Sequence, residues 1–152
     1  MLTAAGTGKL MQIVTRKVEG QPLTVTIEYP EYTESVKGLI KKIKGLDISF
    51  SAFADDGQLR IALADVFYIE NVDRKVFLYT EKDVYRLNAS MAEIEKIAKD
   101  SDLVRISRIC IMNTSHLSGI RQLKNSHLEA MLDNGEKLIV SRKYLHDIKR
   151  RF

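Results

Sequence analysis

The stretch VFLYTEKDVYRL, residues 76–87, decides the fold class of this 152-residue chain. Two short segments, residues 76–80 and 84–87, are rich in branched and aromatic side chains and flank a polar triplet at residues 81–83. Short apolar segments joined by a three-residue polar turn predict a β-hairpin. The hairpin indicates a sheet built from short strands that follow one another along the chain.

Further short apolar segments continue this pattern on both sides of the hairpin. Asn134-Gly135 is the clearest turn, because Asn-Gly readily supplies the two positive φ angles of a type I′ hairpin. Ser90 and Glu93 have the capping-box spacing for a helix over residues 91–98. Strands are predicted over residues 59–63, 66–69, 103–106, 109–112, 117–123, 127–132 and 138–140, with a polar turn at 70–75 and a short basic helix at 141–152. The predicted fold class is mostly β (α+β), with short sheets and short helices.

The first third of the chain has a different pattern. Residues 23–29 alternate apolar and polar side chains and predict a strand, which Pro30 ends. Apolar side chains at helical spacing over residues 36–46 predict an amphipathic helix, and residues 48–54 predict a second strand. This small unit cannot bury a core alone, so we expect it to dock on the rest. The predicted organisation is a loose lead-in at 1–20, a strand–helix–strand unit at 21–57 and a domain at 58–152.

The charge is unevenly distributed along the sequence. The whole chain has a net charge of +4, but residues 103–152 contain ten basic and four acidic residues, and residues 1–102 are slightly acidic. This polarity is typical of a surface that faces a polyanion, or of a merely basic surface. No run of about 18 apolar residues and no secretory signal is present, so we expect a cytoplasmic protein.

No pattern typical of an enzyme is found, so we expect no catalytic residue, cofactor or small-molecule substrate. Cys110 lies in an apolar run, which predicts a buried structural thiol rather than a nucleophile. The three histidines, at 116, 127 and 146, include no pair at metal-ligand spacing, so we expect no metal site.

Basic residues recur at three predicted loops or strand ends. Arginine binds guanine through two hydrogen bonds in the major groove, and hydroxyl or amide side chains suit phosphate oxygens. The alternative is that each arginine is a solvated surface charge. The residues concerned are Arg74 with Lys75, Arg105 with Arg108, and Arg142 with Lys143.

Three motifs occur in order beyond residue 58. They are DVFYIE (65–70), RISRICIMN (105–113) and VSRKY (140–144), the last behind the Asn134-Gly135 turn. Over about 94 residues the sequence resembles the LytTR-type DNA-binding domain of bacterial transcription regulators. The corresponding family patterns are D-I-x-Y-I-E, R-V-H-R-S-x-x-V-N and a glycine turn followed by x-x-V-S-R-x-Y.

The resemblance implies a compact fold of short sheets that inserts loops, not a helix, into the major groove of double-stranded DNA. It implies base contacts from Arg74 (with Lys75 as the neighbouring alternative), Arg108 and Arg142. It implies phosphate contacts from Lys75, Arg105, Ser107, Asn113, Ser141 and Lys143. It also implies a homodimer on repeated half-sites, and for some stand-alone relatives a membrane-protein regulator. Because residues 1–58 are too short for a receiver domain, we do not expect phosphorelay control.

Two departures from the family pattern fall in the central loop. Ser107 stands where the family has histidine, and Ile109 stands where it has serine. The alternative function is therefore a protein-interaction module that keeps the fold but binds DNA weakly. RNA binding through stacked aromatics is disfavoured, because the chain has no Trp and only 7% aromatic residues.

Overall fold

A computed structural model of the chain describes residues 11–149 and contains two antiparallel sheets. The large sheet has seven strands in the order β2-β1-β5-β4-β3-β7-β6. Its strands are β1 (Ser49–Ala54), β2 (Gly57–Ala62), β3 (Tyr68–Val72), β4 (Lys75–Tyr79), β5 (Val84–Leu87), β6 (Leu103–Arg105) and β7 (Cys110–Asn113). The predicted hairpin over residues 76–87 is confirmed as the pair β4–β5, with Val76 opposite Leu87 and Tyr79 opposite Val84.

The small sheet has three strands in the order β10-β9-β8. They are β8 (Leu117–Gln122), β9 (Leu128–Leu132) and β10 (Lys137–Val140). The α-helices are α1 (Glu34–Gly45), α2 (Met91–Ile97) and α3 (Leu145–Lys149). The predicted fold class, mostly β with short helices, is confirmed.

Two hydrophobic cores lie on opposite faces of the large sheet, because successive side chains of a strand point to opposite sides. Ile69 and Leu78 are fully buried on the face that α2 covers. On the other face Tyr68 and Tyr79 stack with ring centroids 4.2 Å apart, in a core shared with the small sheet and α3. The large sheet is therefore the middle layer of the domain.

The predicted capping box of α2 is confirmed. The backbone N–H of Ser90 donates to the Glu93 carboxylate at 2.6 Å, and the N–H of Glu93 donates to the Ser90 hydroxyl at 3.2 Å. These hydrogen bonds lower the pKa of Glu93. They fix the start of the helix, whose Met91 and Ile94 pack into the first core.

The tight turns differ from the prediction. Residues 70–75 do not form a long polar turn, because β3 and β4 leave only Asp73 and Arg74 between the paired residues Val72 and Lys75. Both turn residues have positive φ, 50° and 65°, which is typical of a type I′ turn.

The hairpin β9–β10 is confirmed, but its predicted turn type is wrong. Only Gly135 has a positive φ (87°), and its N–H donates to the carbonyl of Leu132 at 2.9 Å. The loop has three residues between Leu132 and Glu136, so a single left-handed glycine closes it.

The region before the large sheet partly follows the prediction. The strand predicted at residues 23–29 is wrong, because this segment pairs with no strand of the described chain. The helix is confirmed as α1, where Thr33 accepts from the N–H of Val36 at 3.3 Å. The second strand is confirmed as β1, which pairs with both β2 and β5 and thus belongs to the large sheet.

The described chain ends within the predicted C-terminal helix. A 3-10 turn over Arg142–Tyr144 leads into α3, and residues 150–152 lie outside the described residues, as do residues 1–10 of the predicted lead-in. Within residues 11–149, no helix has the length and apolar character needed to cross a bilayer.

Candidate nucleic-acid interface

Two of the predicted arginine loops lie at one end of the large sheet. Strand β3 runs antiparallel to both β4 and β7, so the turn after β3 and the loop before β7 lie at the same end of the sheet. The N–H of Asn71 donates to the carbonyl of Ile109 at 2.8 Å and ties the two segments together. The topology thereby places Arg74 near Arg108, although they are far apart in sequence.

A cleft of about 450 Å³ opens at this end of the sheet, beside the start of α2. Its only acidic lining residue is Glu93, whose carboxylate is already engaged in the capping box. The basic residues that line it are Arg74, Lys75, Arg86, Arg105 and Arg108. Such a concentration of positive charge favours a polyanionic ligand.

Arg86 was missed by the sequence analysis. It lies on β5 with Phe77 of β4 on one side and Phe53 of β1 on the other. It is exposed and lines the cleft with the two loop arginines. The sequence does not indicate a role for Arg86 in the cleft, because the residue lies in a predicted strand and outside the quoted motifs. Only the order of strands in the sheet brings β5 close to the Asp73-Arg74 turn.

Arg105 lies in the cleft wall, but its guanidinium is used within the protein. Nε donates to the carbonyl of Ser107 at 2.8 Å, and one terminal nitrogen donates to the carbonyl of Arg108. The other terminal nitrogen lies 2.9 Å from the Glu95 carboxylate on α2. The predicted phosphate contact is not supported, because these bonds make Arg105 a brace for the loop that carries Arg108.

Asn113 is fully buried at the end of β7. Its side-chain amide donates to the carbonyls of Leu63 and Val66 at 3.1 and 2.7 Å, and its oxygen accepts from Ser115. The predicted phosphate contact from Asn113 is inconsistent with this burial. The residue instead connects the segment before β3 with β7.

Arg142, the third predicted base contact, is exposed at the end of β10. Nε and one terminal nitrogen donate to the carbonyl of Asn125 at 3.0 and 2.7 Å. Asn125 and its neighbour Ser126 both have positive φ, 69° and 62°, so the arginine holds a strained turn between β8 and β9. A guanidinium carries five N–H groups, so several remain for an external acceptor.

A backbone hydrogen bond brings Arg142 beside the loop of Arg108. The N–H of Ser141 donates to the carbonyl of Ile106 at 2.8 Å. Arg142 follows Ser141 directly, and Arg108 lies two residues after Ile106. The structure thus places Arg74 and Arg108 at one cleft, and the backbone segment that carries Arg142 beside the loop of Arg108.

The other predicted phosphate contacts neighbour the three arginines in the sequence. Lys75 and Lys143 are exposed, and the Lys143 ammonium lies 5.6 Å from the centre of the Tyr144 ring. Ser107 and Ser141 are half-buried, and the Ser107 hydroxyl accepts from the N–H of Ile109 at 3.3 Å. All four side chains lie within two residues of Arg74, Arg108 or Arg142.

Cys110 lies just behind the central loop and is confirmed as a buried thiol. Burial, reinforced by the negative charge of Glu70, raises its pKa to about 12. The thiol is therefore neutral at physiological pH, as expected of a structural cysteine.

Comparison with known protein families identifies this domain. Residues 56–152 match the LytTR family, described as the LytTr DNA-binding domain. The chain belongs to the LytTR family. It therefore carries a DNA-binding domain of transcription regulators, as the three motifs had predicted.

Relatives of this LytTR protein include sensory transduction proteins LytT from two bacilli. The Bacillus anthracis protein is 24% identical over 128 residues, which cover 81% of this chain and 52% of the relative. The Bacillus subtilis (strain 168) protein is 26% identical over 131 residues, which cover 77% of this chain and 54% of the relative. The chain thus spans about half the length of the curated relatives it matches.

A solved structure has the same fold. The LytTr DNA-binding domain of a Bacillus cereus protein aligns with a TM-score of 0.64 at 24% sequence identity. The alignment covers 67% of this chain and 94% of that domain.

Proposed function

We propose that this LytTR protein regulates transcription by binding a specific sequence in double-stranded DNA as a homodimer on repeated half-sites. Arg74, Arg108 and Arg142 contact base edges in the major groove. The observation that carries the proposal is that Arg74 and Arg108 line one cleft and that the Ser141–Ile106 hydrogen bond brings the segment of Arg142 beside the loop of Arg108. This arrangement suits a ligand that approaches across several loops at once.

The backbone geometry supports base contacts from the loops. Arg74 sits at the tip of a two-residue turn, and Arg108 sits on a loop braced by Arg105. Loops held in one conformation lose little entropy on binding and can place a guanidinium in a defined position. Guanine offers two acceptors in the major groove that match such a guanidinium.

The phosphate contacts are proposed from the side chains around this surface. Lys75, Ser107, Ser141 and Lys143 keep the role predicted from the sequence, and Arg86 is added because it lines the same cleft. Arg105 and Asn113 are left out, since both are engaged inside the protein.

The test is selection of binding sites from random duplexes by the full chain, followed by fluorescence anisotropy of the selected duplex over a salt series. We expect a repeated motif to be enriched and log affinity to fall linearly with log salt concentration, because bound lysines and arginines displace counterions. Weak binding without sequence preference would contradict the proposal. Such a result would support the alternative of a protein-interaction module, in which the exposed Ile109 is a candidate contact residue for a protein partner.

A further inference from the structure

Residues 23–29 expose a strand-like pattern that no strand of the described chain pairs with. Leu23 is 97% exposed and Val25 is 58% exposed, and the segment forms no helix or strand in the described chain. Unpaired N–H and C=O groups on an extended segment can form a ladder with a second strand. Exposed apolar side chains on the same segment favour association.

The apolar face of the next helix, α1, is only partly buried against the rest of the described chain. Its apolar side chains are only half-buried, and the helix contacts the domain near its C-terminal end. There Gly45 packs against Leu63, and Lys41 forms an ion pair of 3.5 Å with Asp102. The half-buried stripe comprises Val36, Leu39, Ile40 and Ile43.

The sequence LTVTIEY (23–29) is complementary to itself in one antiparallel register. When Thr26 lies on the two-fold axis, Leu23 faces Tyr29 and Val25 faces Ile27 of the second copy. These apolar residues are all two apart, so they lie on one face of the paired strands. On the other face Thr24 meets Glu28, so the two carboxylates are not opposed.

Other registers are less favourable. A one-residue shift of the pairing places the apolar side chains of one copy opposite the polar side chains of the other copy throughout. A shift that keeps the face, but moves the axis to Val25 or Ile27, brings Gln21 opposite Tyr29 or Glu31 opposite Leu23. Thr26 is thus the axis that pairs all four apolar residues with one another.

We propose that residues 23–29 pair antiparallel with the same residues of a second copy, with Thr26 on the two-fold axis. A two-stranded ribbon is only marginally stable alone, so the half-buried stripes of the two α1 helices cover its apolar face. The interface is isologous, as in a two-fold dimer. This assigns the surface of the proposed homodimer, and its role rests on the proposed DNA binding, although the association itself is measured without DNA.

Disulfide trapping tests the register. In an antiparallel pair, residues directly opposite have Cα atoms about 4.5–5.5 Å apart, which is within the range of a disulfide. Thr26→Cys places two thiols opposite each other, and the native cysteine is buried and does not compete. Thr24→Cys is the matched control, because its two thiols lie four residues apart along the ribbon, about 13 Å.

We expect the Thr26→Cys protein to become mostly covalent dimer under mild oxidation and the Thr24→Cys protein to stay mostly monomeric on non-reducing gels. In sedimentation velocity of the full chain, Val25→Lys should weaken self-association at least tenfold. Thr24→Lys, which faces Glu28, should preserve or strengthen it.

Three results would overturn the proposal. They are a wild-type chain that sediments as a monomer at about 100 μM, equal trapping of the two cysteine variants, and an unchanged dimer in Val25→Lys. DNA binding is scored separately on a duplex with one half-site. A Val25→Lys monomer that still binds this duplex supports both proposals, whereas a trapped dimer that binds no duplex supports only the interface.

Discussion

Glu95 on α2 and Arg105 on β6 form a 2.9 Å ion pair that fixes the loop carrying Arg108. The Arg105 guanidinium also donates to the carbonyls of Ser107 and Arg108. One side chain therefore connects a helix, a strand and the proposed DNA-contacting loop. Lysine cannot reproduce this arrangement, because its ammonium lacks the planar fork that binds several acceptors at once.

The first prediction concerns this brace. Arg105→Lys keeps the charge but releases the loop, so affinity for the selected site should fall about tenfold, or about 1.4 kcal/mol. Affinity for unrelated duplexes should change little, because the net charge is unchanged. Fluorescence anisotropy with both duplexes measures the ratio of the affinity for the selected site to the affinity for an unrelated duplex. Glu95→Gln should have the same effect in milder form, and equal losses on both duplexes would argue for a direct phosphate contact instead.

The second prediction concerns the proposed base contacts. Arg108→Ala and Arg142→Ala should each weaken binding to the selected site by about 1–3 kcal/mol and relax base preference at one position of each half-site. Competition with single-base variants of the site measures the preference. Arg60→Ala is the control, since Arg60 lies on β2 and donates to the Ser49 hydroxyl. Full retention of base preference in both variants would remove these assignments.

Elements specified by neighbouring residues could be predicted from the sequence. The capping box of Ser90 and Glu93 depends on residues three apart, and the β4–β5 hairpin depends on two strands joined by a short turn. The segment at residues 23–29 has an equally clear alternation of apolar and polar side chains. A strand forms only where a partner strand is available, however, and the pattern of one segment does not show where its partner lies.

The candidate site was predicted less completely, for a related reason. Arg105 and Asn113 are polar residues in a DNA-binding motif, which suggested external contacts. Their partners include Glu95, Leu63 and Val66, which only the folded sheet brings within hydrogen-bonding distance. Whether a polar side chain is satisfied internally depends on such non-local neighbours, so residue type and motif position could not decide it.

The third prediction separates phosphate contacts from base contacts. Lys143→Ala should weaken binding to all duplexes alike and reduce the slope of log affinity against log salt by about one unit. Lys82→Ala is the matched control, because its turn lies at the opposite end of β4 from Arg74. A loss confined to the selected sequence would contradict the phosphate role of Lys143.

The fourth prediction is that Asn113 contributes to stability and not to DNA contact. Asn113→Ala leaves the buried carbonyls of Leu63 and Val66 without their donor, so the free energy of unfolding should fall by roughly 1–3 kcal/mol. Chemical denaturation measures this loss, and Asn88→Ala, at an exposed asparagine, should change stability far less. Below the unfolding transition, the salt slope of DNA binding should match that of the wild type. A flattened slope with unchanged stability would mean that Asn113 reaches phosphate in the complex, which would require the end of β7 to open on binding.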